Sequence, residues 1–300
     1  MNLNIPPLSK GDTIAIVAPA KAIEPEYIEF ATDKLTSLGY NVLVGKHTTG
    51  RFNYYSGTVE ERLFDFQEAL DNSDIKAVFC ARGGYGCIQI VDLINWSSLL
   101  RNPKWIVGFS DITVLQQHIF KLGLKSIHAT MPLNYKENSK ESFETLIAAL
   151  EQKRYKIQFP SIEKNKLGIA EGKIIGGNLS ILYSLLGTDD QIDYSEKILF
   201  IEDLSEQLYV LDRMMFAFKK AGILDKIKGL IVGGMSNMSD TNPPIGESVE
   251  EIILKHFQYS KTPVCFNFPV GHISDNRAIR IGSKVRFISE NNSTELLFLD

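Results

Sequence analysis

Cysteine is scarce: Cys80, Cys87 and Cys265 are the three in 300 residues, an odd number at no metal-ligand spacing. Neither a disulfide framework nor a zinc site is predicted, and the thiols are expected to be reduced and mostly buried. Histidine is sparse as well, with five residues and no H-E-x-x-H or comparable cluster, so chemistry without a metal or other cofactor is the expectation. Positive charge is not in excess. The 32 Lys and Arg against 36 Asp and Glu leave a net charge of −4, which offers no general attraction to phosphate backbones or anionic lipid, and neither nucleic-acid nor membrane partners are expected. No apolar run approaches the about 20 residues that cross a bilayer, and Met1–Gly11 holds no basic segment leading into an apolar stretch, which predicts a cytoplasmic address.

What is present is globular: 44% hydrophobic and 23% charged residues, enough for an N-terminal domain over 1–155 and a second over 156–300. Short β-rich apolar runs alternate with amphipathic stretches, the pattern that wraps helices around a mainly parallel sheet. Strands are predicted at 13–18, 41–44, 75–80, 105–108 and 126–131, with helices over 24–38, 60–70, 113–122 and 140–150 and another ending near Leu100. The Lys- and Glu-rich segment 151–166 has little apolar periodicity and reads as the connection between domains. Later elements lean toward β, at 172–175, 197–202, 229–232, 263–268, 278–281, 285–288 and 295–299, interrupted by helices near 204–221 and 248–257. The fold class predicted is α/β, with a helix-flanked, mainly parallel N-terminal sheet and a smaller, β-rich, barrel-like C-terminal domain.

A serine hydroxyl is a poor nucleophile until a base takes its proton, and the base needs a third group to fix its tautomer. Ser110 follows the strand Trp105-Ile106-Val107-Gly108 and opens a helix, a position where ligand sites occur and where helix amides favour negative charge. A serine there is more often a helix cap, and the elbow motif G-x-S-x-G is half present, with Ile112 in place of the second glycine. Arg82-Gly83-Gly84-Tyr85-Gly86 ends the preceding strand, where the amide of Gly83 or Gly84 is placed to pair with that of Asp111 as an oxyanion hole. A dinucleotide loop is disfavoured, since Gln89 replaces the third glycine and the first strand ends in Ala18-Pro19-Ala20. Glu202 and Asp203 terminate the apolar run 198–201, either as partners of a base or as acids opening a helix. His272 stands in a glycine-flanked polar loop, accessible enough to titrate as a general base. Asn178, Asn276 and Arg82 are candidate substrate-binding residues, although turn and capping roles explain the two asparagines equally well.

These segments together resemble the LD-carboxypeptidase family, serine peptidases that include the microcin immunity proteins. The likeness is carried by Gly11-Asp12-Thr13 with 14–19, by 81–86, by 108–113 (GFSDIT), by 176–188 (GGNLSILYSLLGT), by 199–203 with Tyr209 and Asp212-Arg213-Met214, and by 269–276 with Ile281-Gly282. The resemblance implies Ser110 as nucleophile, Glu202 as the acid and His272 as the base, with Asp111 and the glycine loop as oxyanion hole. It implies release of terminal D-alanine from a muropeptide tetrapeptide by cleavage of an L-D bond, and a homodimer. Cleavage of an aminoacyl-nucleotide analogue, as by microcin immunity proteins, and an idle peptide-binding protein are the alternatives. One departure bears on side-chain preference: where members often carry His-Gly-Pro-Met, this chain reads His128-Ala129-Thr130-Met131.

Overall fold

The computed structural model describes residues 4–300, and the chain divides into two compact units. The first runs to Lys153 and adds Arg277–Arg280; the second comprises Arg154–Asn276 and Ile281–Asp300.

In the first unit β1 (Thr13–Val17), α1 (Pro25–Ser37), β2 (Asn41–Val44), α2 (Val59–Asp71), β3 (Ile75–Cys80), α3 (Ser97–Arg101), β4 (Trp105–Gly108), α4 (Thr113–Lys121), β5 (Ser126–His128) and α5 (Lys140–Leu150) follow one another. The sheet has six strands in the order Ile279–Ile281, β5, β4, β3, β1, β2, and neighbours from β5 to β2 pair in parallel. The inner strands β3 (IKAVFC) and β4 (WIVG) are almost wholly buried, as helices on both faces of a parallel sheet require. Helix starts are chemically marked. Pro25 opens α1, Thr58 and Glu61 form a capping box on α2, and the Ser139 side chain caps α5. Lys104, fully buried ahead of β4, donates to the carbonyls of Ala69 and Asn72 at 2.9 and 2.7 Å and so clamps the end of α2.

The helix expected up to Leu100 is instead broken into two single 3-10 turns, 87–89 and 91–93, before α3. Two causes are visible: the Cys87 N–H is drawn to Asp111 Oδ2 at 2.8 Å, and Ile94 is extended at φ −70°, ψ 130°.

The second unit contains β6 (Lys156–Pro160), β7 (Gly168–Asn178), α6 (Leu179–Ser184), β8 (Lys197–Leu204), α7 (Leu208–Lys220), β9 (Gly229–Ser236), α8 (Val249–Leu254), β10 (Val264–Cys265), β12 (Lys284–Ser289) and β13 (Ser293–Phe298); the strand Ile279–Ile281 of the first sheet is β11. Its sheet has seven strands in the order β10, β9, β8, β7, β12, β13, β6. The β10 to β7 half is parallel and the β7 to β6 half antiparallel. This sheet is open, ending on β10 and β6, and the barrel-like expectation is corrected to a mixed sheet flanked by helices. The helical crossovers of the parallel half need a sheet face to lie on. Within the expected connection 151–166 lies an edge strand, β6, in which only Ile157 is fully covered. Among the described residues no helix is long and apolar enough to cross a membrane.

Candidate active site

In the first unit the chain turns sharply at the end of β4. Phe109 is extended at φ −149°, Ser110 takes φ +65°, and a 3-10 turn over Ser110–Ile112 leads into α4. A left-handed conformation costs a serine about 1 kcal/mol or more. The turn is tight because Gly108 sits against Ile112, where an added Cβ would come within 2.9 Å of its Cγ1. The N-cap positions of the 3-10 turn and of α4 are held by Phe109 and Ile112, so Ser110 stands at neither.

Gly83 lies directly on this serine. A Cβ there would stand 2.7 Å from Ser110 Cβ, 2.9 Å from its Oγ and 3.1 Å from the Asp111 amide nitrogen. Among the described residues the amides of Gly83 and Gly84 donate to no acceptor, as donors meant for a ligand oxygen would. Asp111 fastens the two loops together through the Cys87 N–H. Burial pushes its carboxyl up, against the Cys87 and Gly86 amides and the Arg62 charge. The sequence placed the Asp111 backbone here but missed this side-chain brace, which an acid following the serine does not reveal. Arg82 is half-buried and donates from Nη1 to Ala22 O at 2.9 Å.

In the second unit β8 ends in two carboxylates with different partners. Glu202 is fully buried, and its Oε2 meets His272 Nδ1 at 2.6 Å. The imidazole keeps 17% of its surface exposed. Burial opposes its charged form, but the Glu202 charge, the hydrogen bond and the Asp203 charge outweigh burial and raise the pKa above the ordinary value. Three contacts fix the histidine loop. The Gly271 N–H donates to buried Asn276 Oδ1 at 2.9 Å, Ser236 Oγ donates to His272 O at 2.7 Å, and the Gly234 N–H donates to Val270 O at 2.9 Å. Gly271, at φ +103°, packs on the acid: a Cβ there would fall 2.5 Å from Glu202 Cβ.

Asp203 has a scaffolding place. Its Oδ1 accepts from Asn178 Nδ2 and the Leu204 N–H, and its Oδ2 from the Ser180 N–H and Oγ, all at 2.8–2.9 Å. Asn178 is buried and also caps α6, accepting from the Ile181 N–H at 3.1 Å.

The structure thus gathers Ser110, Asp111, Gly83 and Gly84 in one unit, and Glu202, His272 and Asn276 in the other. The cysteines are free and buried, and burial raises each thiol far out of the neutral range. A further histidine–acid pair, His47 Nδ1 to Asp65 Oδ1 at 3.0 Å, went unread in the sequence; the adjacent Thr48 hydroxyl donates to Ile16 O. Among the described residues no group of three His, Cys, Asp or Glu side chains is gathered as metal ligands.

Comparison with known proteins gives a consistent result over both units. Residues 14–129 match the model of the LD-carboxypeptidase N-terminal domain and residues 171–287 that of the LD-carboxypeptidase C-terminal domain. A probable murein peptide carboxypeptidase of Bacillus subtilis is 33% identical, with 94% of this chain and 91% of the relative covered. The murein tetrapeptide carboxypeptidase of Pseudomonas aeruginosa is 32% identical, with 88% and 89% covered. The crystal structure of a muramoyltetrapeptide carboxypeptidase from Oxalobacter formigenes superposes with a TM-score of 0.88 at 27% identity, covering 96% of this chain and 99% of that one.

Proposed function

This chain belongs to the LD-carboxypeptidase family, and from that premise we propose that it is a serine carboxypeptidase releasing terminal D-alanine from muropeptide tetrapeptides. In this reading Ser110 is the nucleophile, His272 its base, and Glu202 the acid that orients the base. His272, with Nδ1 held by Glu202, takes the Ser110 proton on Nε2 as Oγ attacks the carbonyl preceding the D-residue. The amides of Asp111 and Gly83 or Gly84 receive the developing oxyanion, each such donor lowering the barrier by about 3 kcal/mol. Collapse expels the D-amino acid, whose amine takes the proton from His272. Water, activated by the same imidazole, then hydrolyses the acyl-enzyme and restores the serine.

The observation that carries this reading is the 2.6 Å bond between buried Glu202 and His272. A buried carboxylate is costly unless paired, and here the partner is an imidazole with an exposed edge. The left-handed Ser110 supports the same assignment, since strain of this kind collects at functional turns. The substrate class rests on the relatives named above. Work on recycled wall peptides fits a cytoplasmic enzyme, and the family implies a homodimer.

The test is D-alanine release from a muramyl tetrapeptide by the wild type, Ser110→Ala and His272→Ala with a chelator present. Loss by a factor on the order of 10³ or more in both variants is expected. Equal release by all three would refute the assignment. An aminoacyl sulfamoyl nucleotide assayed alongside separates the microcin-immunity alternative, which predicts turnover of that substrate instead.

A further inference from the structure

The wall beside the glycine loop displays a cation that the mechanism above does not use. Residues 20–22 run against 54–56: the Ala22 N–H donates to Tyr54 O and the Ser56 N–H to Ala20 O, each at 3.1 Å, and Lys21 bridges Tyr55 antiparallel. The Lys21 N–H reaches Gly83 O at 3.4 Å, so its backbone is held from two sides. Its side chain lies along Gly84, where an added Cβ would meet Lys21 Cβ at 2.8 Å and the Tyr54 hydroxyl at 3.0 Å. The ammonium stands 4.7 Å from the centre of the Tyr54 ring, and no carboxylate pairs with it among the described residues. Tyr54 is 43% exposed and Lys21 itself is partly exposed, which leaves the cation and its ring open to a ligand. One residue away Gly83 touches Ser110. Adjacent glycines of a single loop therefore lie against the serine and against the stem of the lysine.

We infer that Lys21, set against Tyr54, is the specificity residue for the substrate's free C-terminal carboxylate, an inference that rests on Ser110 being the nucleophile. That carboxylate carbon is three bonds, roughly 3–3.7 Å, from the carbonyl under attack, a separation suited to neighbouring contacts on one loop. A lysine ammonium drawn to an aromatic face still offers its hydrogen-bond donors to a carboxylate. Arg82, the other nearby cation, already donates to Ala22 O.

The test measures binding, so that it does not depend on turnover. In a Ser110→Ala background, calorimetry compares the tetrapeptide acid with its C-terminal amide, with Lys21 present and as Lys21→Met. With Lys21 the acid binds about tenfold tighter or more. Lys21→Met removes that preference and leaves the amide's affinity unchanged, and Lys21→Arg restores most of it. A preference that survives Lys21→Met, an equal loss on both ligands, or no binding of the acid overturns the inference. D-alanine release by the wild type is scored separately: its absence beside an intact Lys21-dependent preference defeats the carboxypeptidase reading and leaves the carboxylate site standing.

Discussion

His272 is pulled in two directions. Burial disfavours its charged form, whereas the Glu202 carboxylate, their hydrogen bond and the Asp203 charge favour it, and the balance lies above the ordinary 6.5. A base must be unprotonated to take the serine proton, so the acid limb of kcat/KM is expected above that value. Glu202→Gln removes the charge: the limb should move down while the rate falls by a factor on the order of 10⁴. Profiles of kcat/KM against pH for the two proteins check this, and a limb that does not move contradicts it. Stability follows the same sign, because a raised folded-state value means that the contribution is complete below the unfolded value and is lost as pH rises through the folded one. Gly83 gives a second test at this scale. In Gly83→Ala the new methyl would lie 2.7 Å from Ser110 Cβ, and the displaced serine should lose activity by a factor on the order of 10². D-alanine release measures the loss, and an unchanged melting curve shows that the fold is kept; full activity would mean that the loop yields without disturbing the serine.

At the scale of elements, the ends of β4 and β8 and the loop after β10 hold the residues proposed for the chemistry, and what each touches decides how readable it was. The strand, turn and helix around Ser110 follow from a four-residue apolar run, a glycine and an amphipathic stretch, all local signals. The histidine loop was legible as glycine-flanked and polar, but its partner Glu202 is 70 residues away in the chain, and no local pattern announces that Gly271 must lack a Cβ to pack on it. Asn178 and Asp203 show the same limit: side chains of the right type for a ligand are engaged with each other at 2.9 Å. Edge strand β6 was missed because a strand paired on one side needs little apolar alternation, and Ile157 supplies what it has. The Gly271 contact is testable. Gly271→Ala combines φ +103° with a Cβ 2.5 Å from Glu202 Cβ, and a loss of about 2–4 kcal/mol in urea unfolding is expected, together with loss of activity. Wild-type stability in that variant would show that the loop repacks freely.

At the scale of the whole chain, the least legible feature is the place of β11. Read along the sequence, 278–281 belongs with the β-leaning elements of the C-terminal domain. In the fold β11 instead completes the first sheet beside β5, while β12 pairs with β7 and β13. Pairings of such long sequence separation leave no periodic trace. Ile279 and Ile281 are fully buried, and the Ala278 N–H donates to Thr145 Oγ1 at 3.0 Å. A chain ending at Lys153 therefore keeps five of the six strands, loses those two side chains and turns β5 into a bare edge. Each lost isoleucine removes about 1.5–3 kcal/mol of burial, and an unpaired central-type strand recruits other chains. The truncated unit is expected to melt well below the full chain and to self-associate in sedimentation. A peptide spanning residues 275–283, added in excess, should reverse part of both effects by restoring the missing strand. A monomeric truncated unit with the stability of the full chain would show that the six-stranded sheet does not need its last strand.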